Sequence, residues 1–312
     1  MSSRNEVLDI YKKYISQGWY DNTISFADIE CWVDNFEKDR EHMECDPLVC
    51  ADLLLNALIF YQSKHIPAII RSIENRIKSR LNQEKQKLGY RLSENELAQA
   101  WCQYKQECFI CSAARPEDAG TSAHQAARDW RNITDIETGT VVQLKRAMLE
   151  KGKKHIFFVD DFIGTGSKML TLFSCDLFPD ANTYGFQKIK DLFEEFKNDV
   201  DFNIAVYAIC KQGRRNIKEE YDHLFFYFGD LYDEQYDLQS NNCVFYDMFD
   251  AERNTIIEYI TNKQRELNGD HQYALNLPIG FTHGCPNNTL ALYYKSNENW
   301  VGLLKETHPS NS

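Results

Sequence analysis

Apolar residues recur at helical spacing through the first hundred positions. Trp32, Val33 and Phe36 share one face, as do Leu54, Leu58 and Tyr61. Asp46-Pro47 supplies a cap and a first-turn proline. A further helix is predicted from Ile66 through a charged run to about Gln86. Another runs from Ser93 to Tyr104, where Ser93 and Glu96 have capping-box spacing. The period changes at Glu107. Short apolar runs bounded by polar residues now predict buried strands at Cys108–Cys111 and Ile156–Val159, and further strands at Asn203–Ile209 and Leu224–Phe228. Helical patterns alternate with them, at Thr121–Arg131, Thr138–Glu150, Ser167–Leu172, Thr183–Lys197 and Gly213–Tyr221. One more helix is predicted at Ala251–Leu267, followed by an irregular polar stretch from Gly280 to Tyr294.

Strands alternating with helices imply an α/β fold with a parallel, right-handed sheet. Ligands of such sheets sit at the carboxyl ends of the strands. The change of period divides the chain into a helical N-terminal region, 1–105, and an α/β domain, 106–312, whose C-terminal segment lies beyond the sheet.

Composition narrows the function classes. A net charge of −12 over 312 residues argues against broad nucleic-acid or anionic-membrane binding, which runs on phosphate neutralisation by Lys and Arg. MSSRNEVLDIYKKY has no apolar signal core. The most hydrophobic run, Leu48 to Tyr61, is broken by Asp52 and Asn56 and is too short to span a bilayer. A cytoplasmic location is the expectation. Ten cysteines scattered through such a chain read as reduced thiols. Cys108 and Cys111 form a tight pair, but no second pair or histidine set stands at zinc-ligand spacing, so no metal ligands are assigned.

The most informative stretch is FFVDDFIGTGSK, residues 157–168. A nucleotide-hydrolysing phosphate loop needs four residues between its first glycine and a Gly-Lys pair, and Lys168 here follows Ser167. A Walker B strand would need that loop elsewhere, and the chain contains no GxxxxGK[ST] or GxGxxG. A third reading uses every residue. Asp160 and Asp161 at a strand end can accept hydrogen bonds from vicinal ribose hydroxyls. Phe162, Ile163, Gly164, Thr165, Gly166 and Ser167 then lead into a helix start whose amides and hydroxyls can wrap a phosphate monoester. The two glycines let backbone approach the anion and take positive φ. The ligand so described is a ribose 5-phosphate moiety.

Four apolar residues, two acids, two apolar residues and G-T-G-S closely resemble the phosphoribosyl pyrophosphate (PRPP) motif of type I phosphoribosyltransferases. The wider chain resembles a narrower group, phosphoribosyltransferase-like proteins encoded in bacterial conflict systems, including some retrons. WVDNF, the LLLNALIFY helix and CPNNTLALYY carry that part, with Ala291 standing where the group's pattern has proline. The resemblance implies that the two acids contact the ribose hydroxyls and that 162–167 cradle the 5-phosphate. It implies Mg²⁺ bound largely by substrate oxygens. It implies a pyrophosphate-holding loop after the first strand, where Arg115 is the candidate, the other reading being a surface arginine before Pro116. A C-terminal hood over the acceptor is also implied. There Asn287 and Asn288 either read a base edge or build a turn. Gly164 stands where some purine-specific members carry an acid, so no residue is assigned a catalytic role.

The expectation is therefore a phosphoribosyltransferase-like protein that binds PRPP or a related ribose-phosphate with Mg²⁺, for glycosyl transfer or cleavage at ribose C1. It would serve as an antiviral defence effector restrained by a regulatory protein or a retron ribonucleoprotein. The alternative is a non-catalytic nucleotide or PRPP sensor acting through a protein partner.

Overall fold

The computed structural model describes residues 4–18, 20, 23–90, 92–115, 118, 121–179, 186–233, 250–268, 275–286 and 288–304. The chain opens with α1 (Arg4–Ser16), α2 (Phe26–Lys38), α3 (Pro47–Ala57), β1 (Ile59–Tyr61), α4 (Ile66–Lys87) and α5 (Glu94–Glu107). There follow β2 (Cys108–Ser112), α6 (Ser122–Thr134), β3 (Thr138–Gly139), α7 (Leu144–Leu149), β4 (His155–Ile163) and α8 (Ser167–Ser174). Next come β5 (Asp176–Pro179), β6 (Phe186–Lys188), α9 (Ile189–Phe196), β7 (Asp201–Cys210), α10 (Lys211–Glu220) and β8 (Phe225–Tyr232). The last elements are α11 (Asp250–Asn268), β9 (Ile279–Phe281) and α12 (Ala291–Tyr294). Among the described residues, no helix is long and apolar enough to cross a membrane.

Two compact units result, Met1–His65 with Asp233–Ser312, and Ile66–Tyr232. They divide the chain elsewhere than the 105/106 boundary read from periodicity. A change of period marks where strands begin, whereas compactness follows packing, and α4 packs on β8 and α6 of the sheet unit.

The first unit is built around aromatic residues. Trp32 and Trp300 are buried and both donate their indole N–H to the Leu292 carbonyl, at 2.7 and 3.0 Å. Trp32 also stacks on Tyr293, which donates its hydroxyl to the Leu54 carbonyl. Asn35 of WVDNF is buried and exchanges two hydrogen bonds with the backbone of Val301. The stretch around CPNNTLALYY is likewise structural. Thr289 bonds the Ile279 carbonyl, and the Ala291 N–H donates to Gln264 Oε1 at 2.6 Å. Proline at 291 has no N–H and could not make that bond. The LLLNALIFY run is helical only to Ala57. Its last residues, Ile59–Tyr61, pair in parallel with Ile279–Phe281.

The second unit carries a five-stranded parallel sheet in the order β3-β2-β4-β7-β8, flanked by helices. Counted along the sheet alone this is the doubly wound order 2-1-3-4-5, whose direction of progression reverses between its first and third strands. Those strands are β2 and β4. All five residues of β2 are buried, as are eight of nine in β4, as expected of a sheet covered on both faces. The single helix predicted over Thr138–Glu150 is instead β3, a 3-10 turn at Val141–Gln143, and α7. Gly139 lies so close to the Phe109 ring that a Cβ would stand 2.6 Å from it, and the segment pairs with β2. The described part of the helix predicted over Thr183–Lys197 is β6 followed by α9.

The Ser93 capping box forms as its spacing predicts: Ser93 N–H donates to Glu96 Oε2 at 2.8 Å, and the Ser93 hydroxyl accepts from Glu96 N–H. Ser93→Ala should lower the free energy of unfolding by about 1 kcal/mol. Urea denaturation measures this, and an unchanged midpoint would show that the cap contributes nothing.

Candidate functional site

β4 continues through both acids. Asp160 pairs in register with Val206, Phe162 with Ala208 and Ile163 with Ile209. The strand therefore ends at Ile163, and Asp160 and Asp161 lie inside its C-terminal half, at 2% and 7% exposure. Successive side chains point to opposite faces. Phe162 meets Tyr232 edge to face, and Ile163 joins the apolar core.

The Asp160 carboxylate is held by three donors. Asp161 N–H and the Ser122 hydroxyl donate to Oδ1, at 3.0 and 3.2 Å, and Lys168 Nζ donates to Oδ2 at 2.8 Å. Burial nevertheless pushes its pKa up to about 7. The Lys168 charge pulls it back and the Asp161 charge pushes it further up. Burial would lower the Lys168 pKa, but pairing with Asp160 outweighs this and raises it.

After Ile163 the chain turns through Gly164–Gly166 into α8. Gly166, at φ +83°, occupies the N-cap position and supplies no capping side chain. Ser167 N–H donates to Thr165 Oγ1 at 3.5 Å, while Gly166 has no side chain to cap the amides that follow. The Thr165 and Ser167 hydroxyls stand 3.0 Å apart, and Ser167 is exposed. A helix start of this kind, rimmed by two hydroxyls and followed by Lys168, suits an anion.

The loop is braced from α10. Asn216 Nδ2 donates to the Thr165 carbonyl at 3.0 Å. At Gly213 a Cβ would lie 2.1 Å from the Gly164 oxygen, so only glycine fits.

At the end of β2, Ser112 is buried and its hydroxyl lies 2.9 Å from His124 Nδ1. Burial, with the Arg128 and Lys168 charges, lowers the His124 pKa. Beside it a cavity of about 200 Å³ is lined by Ala113, Ala114, Arg115, Asp118, Lys168 and Leu172. Arg115 donates to Cys175 Sγ at 2.8 Å.

The structure brings Arg115 together with Lys168, and Lys168 with Asp160 and the 164–167 loop. Asn287 lies outside the described residues. Asn288 belongs to the other compact unit, where its carbonyl accepts from the Leu277 N–H at 3.0 Å. Ser112, Lys168, Gly213 and Asn216 were not singled out as site residues from sequence.

Among the described residues no group of three His, Cys, Asp or Glu is placed to hold a metal ion. No curated protein matches the chain. The family model PRTase-CE matches residues 29–305, nearly the whole length. Sheet order, acid pair and glycine loop agree with that match, and the chain belongs to the PRTase-CE family of phosphoribosyltransferase-like proteins.

Proposed function

We propose that this protein binds PRPP or a related ribose-phosphate with Mg²⁺ and carries out glycosyl transfer or cleavage at ribose C1. One observation carries the reading. Two buried carboxylates near the switch point of the sheet are followed by a glycine loop and a helix start with a glycine at its N-cap and two hydroxyls beside it. In it, Asp160 and Asp161 accept the vicinal ribose hydroxyls, and the amides and hydroxyls of 164–167 hold the 5-phosphate. Arg115 and Lys168, on the wall of the neighbouring cavity, take the anionic group at C1. The buried carboxylates also favour positive charge developing on the ribose as the C1 bond breaks. Asp160 already accepts three hydrogen bonds, so the protein's donor set fits a Mg²⁺ carried mainly on ligand oxygens. When bound, Mg²⁺ would neutralise the charge of the departing group.

A sensor is the second reading. It is favoured by Gly164, which leaves the phosphate loop without a carboxylate to act as acid or base. The proposed setting is bacterial antiviral defence, with the protein as an effector restrained by a partner. Its support is the resemblance carried by WVDNF and CPNNTLALYY.

Calorimetric titration of PRPP, with and without Mg²⁺, tests the binding claim. Wild type should bind in a Mg²⁺-dependent manner, and Asp160→Asn/Asp161→Asn should weaken binding by about 2–4 kcal/mol, as two charge-assisted acceptors are lost. Product formation from PRPP then separates transfer from sensing. A wild type that binds no ribose-phosphate contradicts both readings.

A further inference from the structure

The ion pair between Lys168 and Asp160 joins the two halves of the site. Its geometry is uneven: the Asp160 side chain is 3% exposed and that of Lys168 is 53% exposed. The carboxylate is fixed inside the sheet, whereas the lysine reaches it from the exposed first turn of α8. The groups facing Asp160 come from four elements. Asp161 adjoins it on β4, Ser122 lies on α6, Lys168 on α8 and Tyr207 on β7; His124, also on α6, faces Lys168. Asp118, after β2, adds a negative charge that acts on Lys168 and His124. Within this set Lys168 makes the direct ion pair to Asp160. The remaining close donors, Ser122 and the Asp161 amide, are neutral.

A carboxylate accepts ribose hydroxyls best when ionised. Two adjacent carboxylates in a buried strand resist joint ionisation, because desolvation and mutual repulsion both favour the protonated form. We infer that Lys168 is a positioning residue for the ribose: its ammonium holds Asp160 ionised and aimed, and so keeps it able to accept a ribose hydroxyl. Lys168 also lines the cavity beside Arg115, so the cation that orders the carboxylate belongs to the wall facing the ligand's anion. This inference rests on the ribose-phosphate reading of the same site.

The two roles open to Lys168 differ in their pH signature. A lysine that merely contacts phosphate loses the same factor of affinity at every pH when removed. A lysine that sets the ionisation of Asp160 moves the pH at which affinity falls. The competent fraction is the ionised one, so apparent affinity drops about tenfold for each pH unit below the governing pKa. Removing the Lys168 charge lets the His124 pKa rise toward its usual value, but a protonated imidazole favours an anion at low pH, the opposite sign to the loss expected from Asp160.

The test is titration of ribose 5-phosphate into the full chain from about pH 6 to about pH 9, for wild type, Lys168→Met and Lys168→Arg. Circular dichroism confirms that each variant is folded. Wild-type affinity should hold at alkaline pH and fall below about pH 7. In Lys168→Met the fall should begin at least one pH unit higher, so that the variant is about tenfold weaker at neutral pH and recovers toward pH 9. Lys168→Arg should restore the wild-type profile. A pH-independent loss in Lys168→Met, or no loss, overturns the inference and leaves ribose-phosphate binding standing. If wild type binds no ribose 5-phosphate at any pH, the underlying reading falls as well.

Discussion

Asp160→Asn should stabilise the protein above about pH 7 while weakening its hold on a ribose-phosphate. The Asp160 carboxyl is 2% exposed, and its pKa is pushed up to about 7 by burial, against Lys168's pull. An unfolded aspartate titrates near 3.9. The folded state therefore favours the protonated form. The stability this contributes is complete below about pH 4 and is lost as pH rises through about 7. Wild type at neutral to alkaline pH carries the cost of an ionised buried carboxylate, on the order of a few kcal/mol at 1.36 kcal/mol per unit. Asparagine keeps the shape and an oxygen for Ser122 and the Asp161 amide, but never ionises. Guanidinium unfolding at about pH 5 and about pH 8 measures the effect. The variant should gain on wild type as pH rises, by clearly more at the higher pH than at the lower. Equal losses at both would mean that the ion pair with Lys168 outweighs desolvation. A site that weakens its own fold in this way exchanges stability for a charged group held ready.

Gly213→Ala should be destabilising although the residue lies in a helix. In an exposed helix interior the same change gains about 1 kcal/mol. Here the added methyl would stand 2.1 Å from the Gly164 oxygen and 2.9 Å from Ile163 Cγ2. The first of these is backbone, so the loop itself must move. Gly166 faces the same contact from the other side, its Cβ position lying 2.9 Å from the Gly213 oxygen. Overpacking of this kind costs about 1–3 kcal/mol. The displaced backbone is the one proposed to carry the 5-phosphate, so affinity should fall with stability. Urea denaturation and ribose 5-phosphate titration on one preparation test both. A gain in stability would show that α10 is not braced against the loop.

Much of the sheet unit was legible in the chain. Buried strands of a parallel sheet read as continuous apolar runs, and β2, β4 and β7 each carry one; β8 carries one too, although as the edge strand it is only partly buried. The acid pair and the glycine loop declared themselves by type and order. Local caps at Asp46 and Ser93 were visible because their partners lie within three residues. What escaped depends on distance in sequence. Ser122 reaches Asp160 across 38 residues and Asn216 reaches Thr165 across 51, separations at which no periodicity operates. β3 has two residues, too few to show an alternation, and β1 pairs with a strand near the other end of the chain. Lys168 was in plain view but had no visible aim until β4 and α8 were placed. WVDNF and CPNNTLALYY carried the resemblance, and their buried members turn out to hold the first unit together.

The most direct measurement is to follow backbone amide resonances while ribose 5-phosphate is added to the full chain. If residues 164–167 hold the phosphate, the amides of Gly164, Thr165, Gly166 and Ser167 should shift most. Those of Asp160 and Asp161 should follow, and these two should return when inorganic phosphate competes the ligand away, while 164–167 stay shifted by the phosphate itself. Saturable shifts confined to other parts of the chain, with 160–167 unmoved, would show that the acid pair and glycine loop are not the ribose-phosphate site.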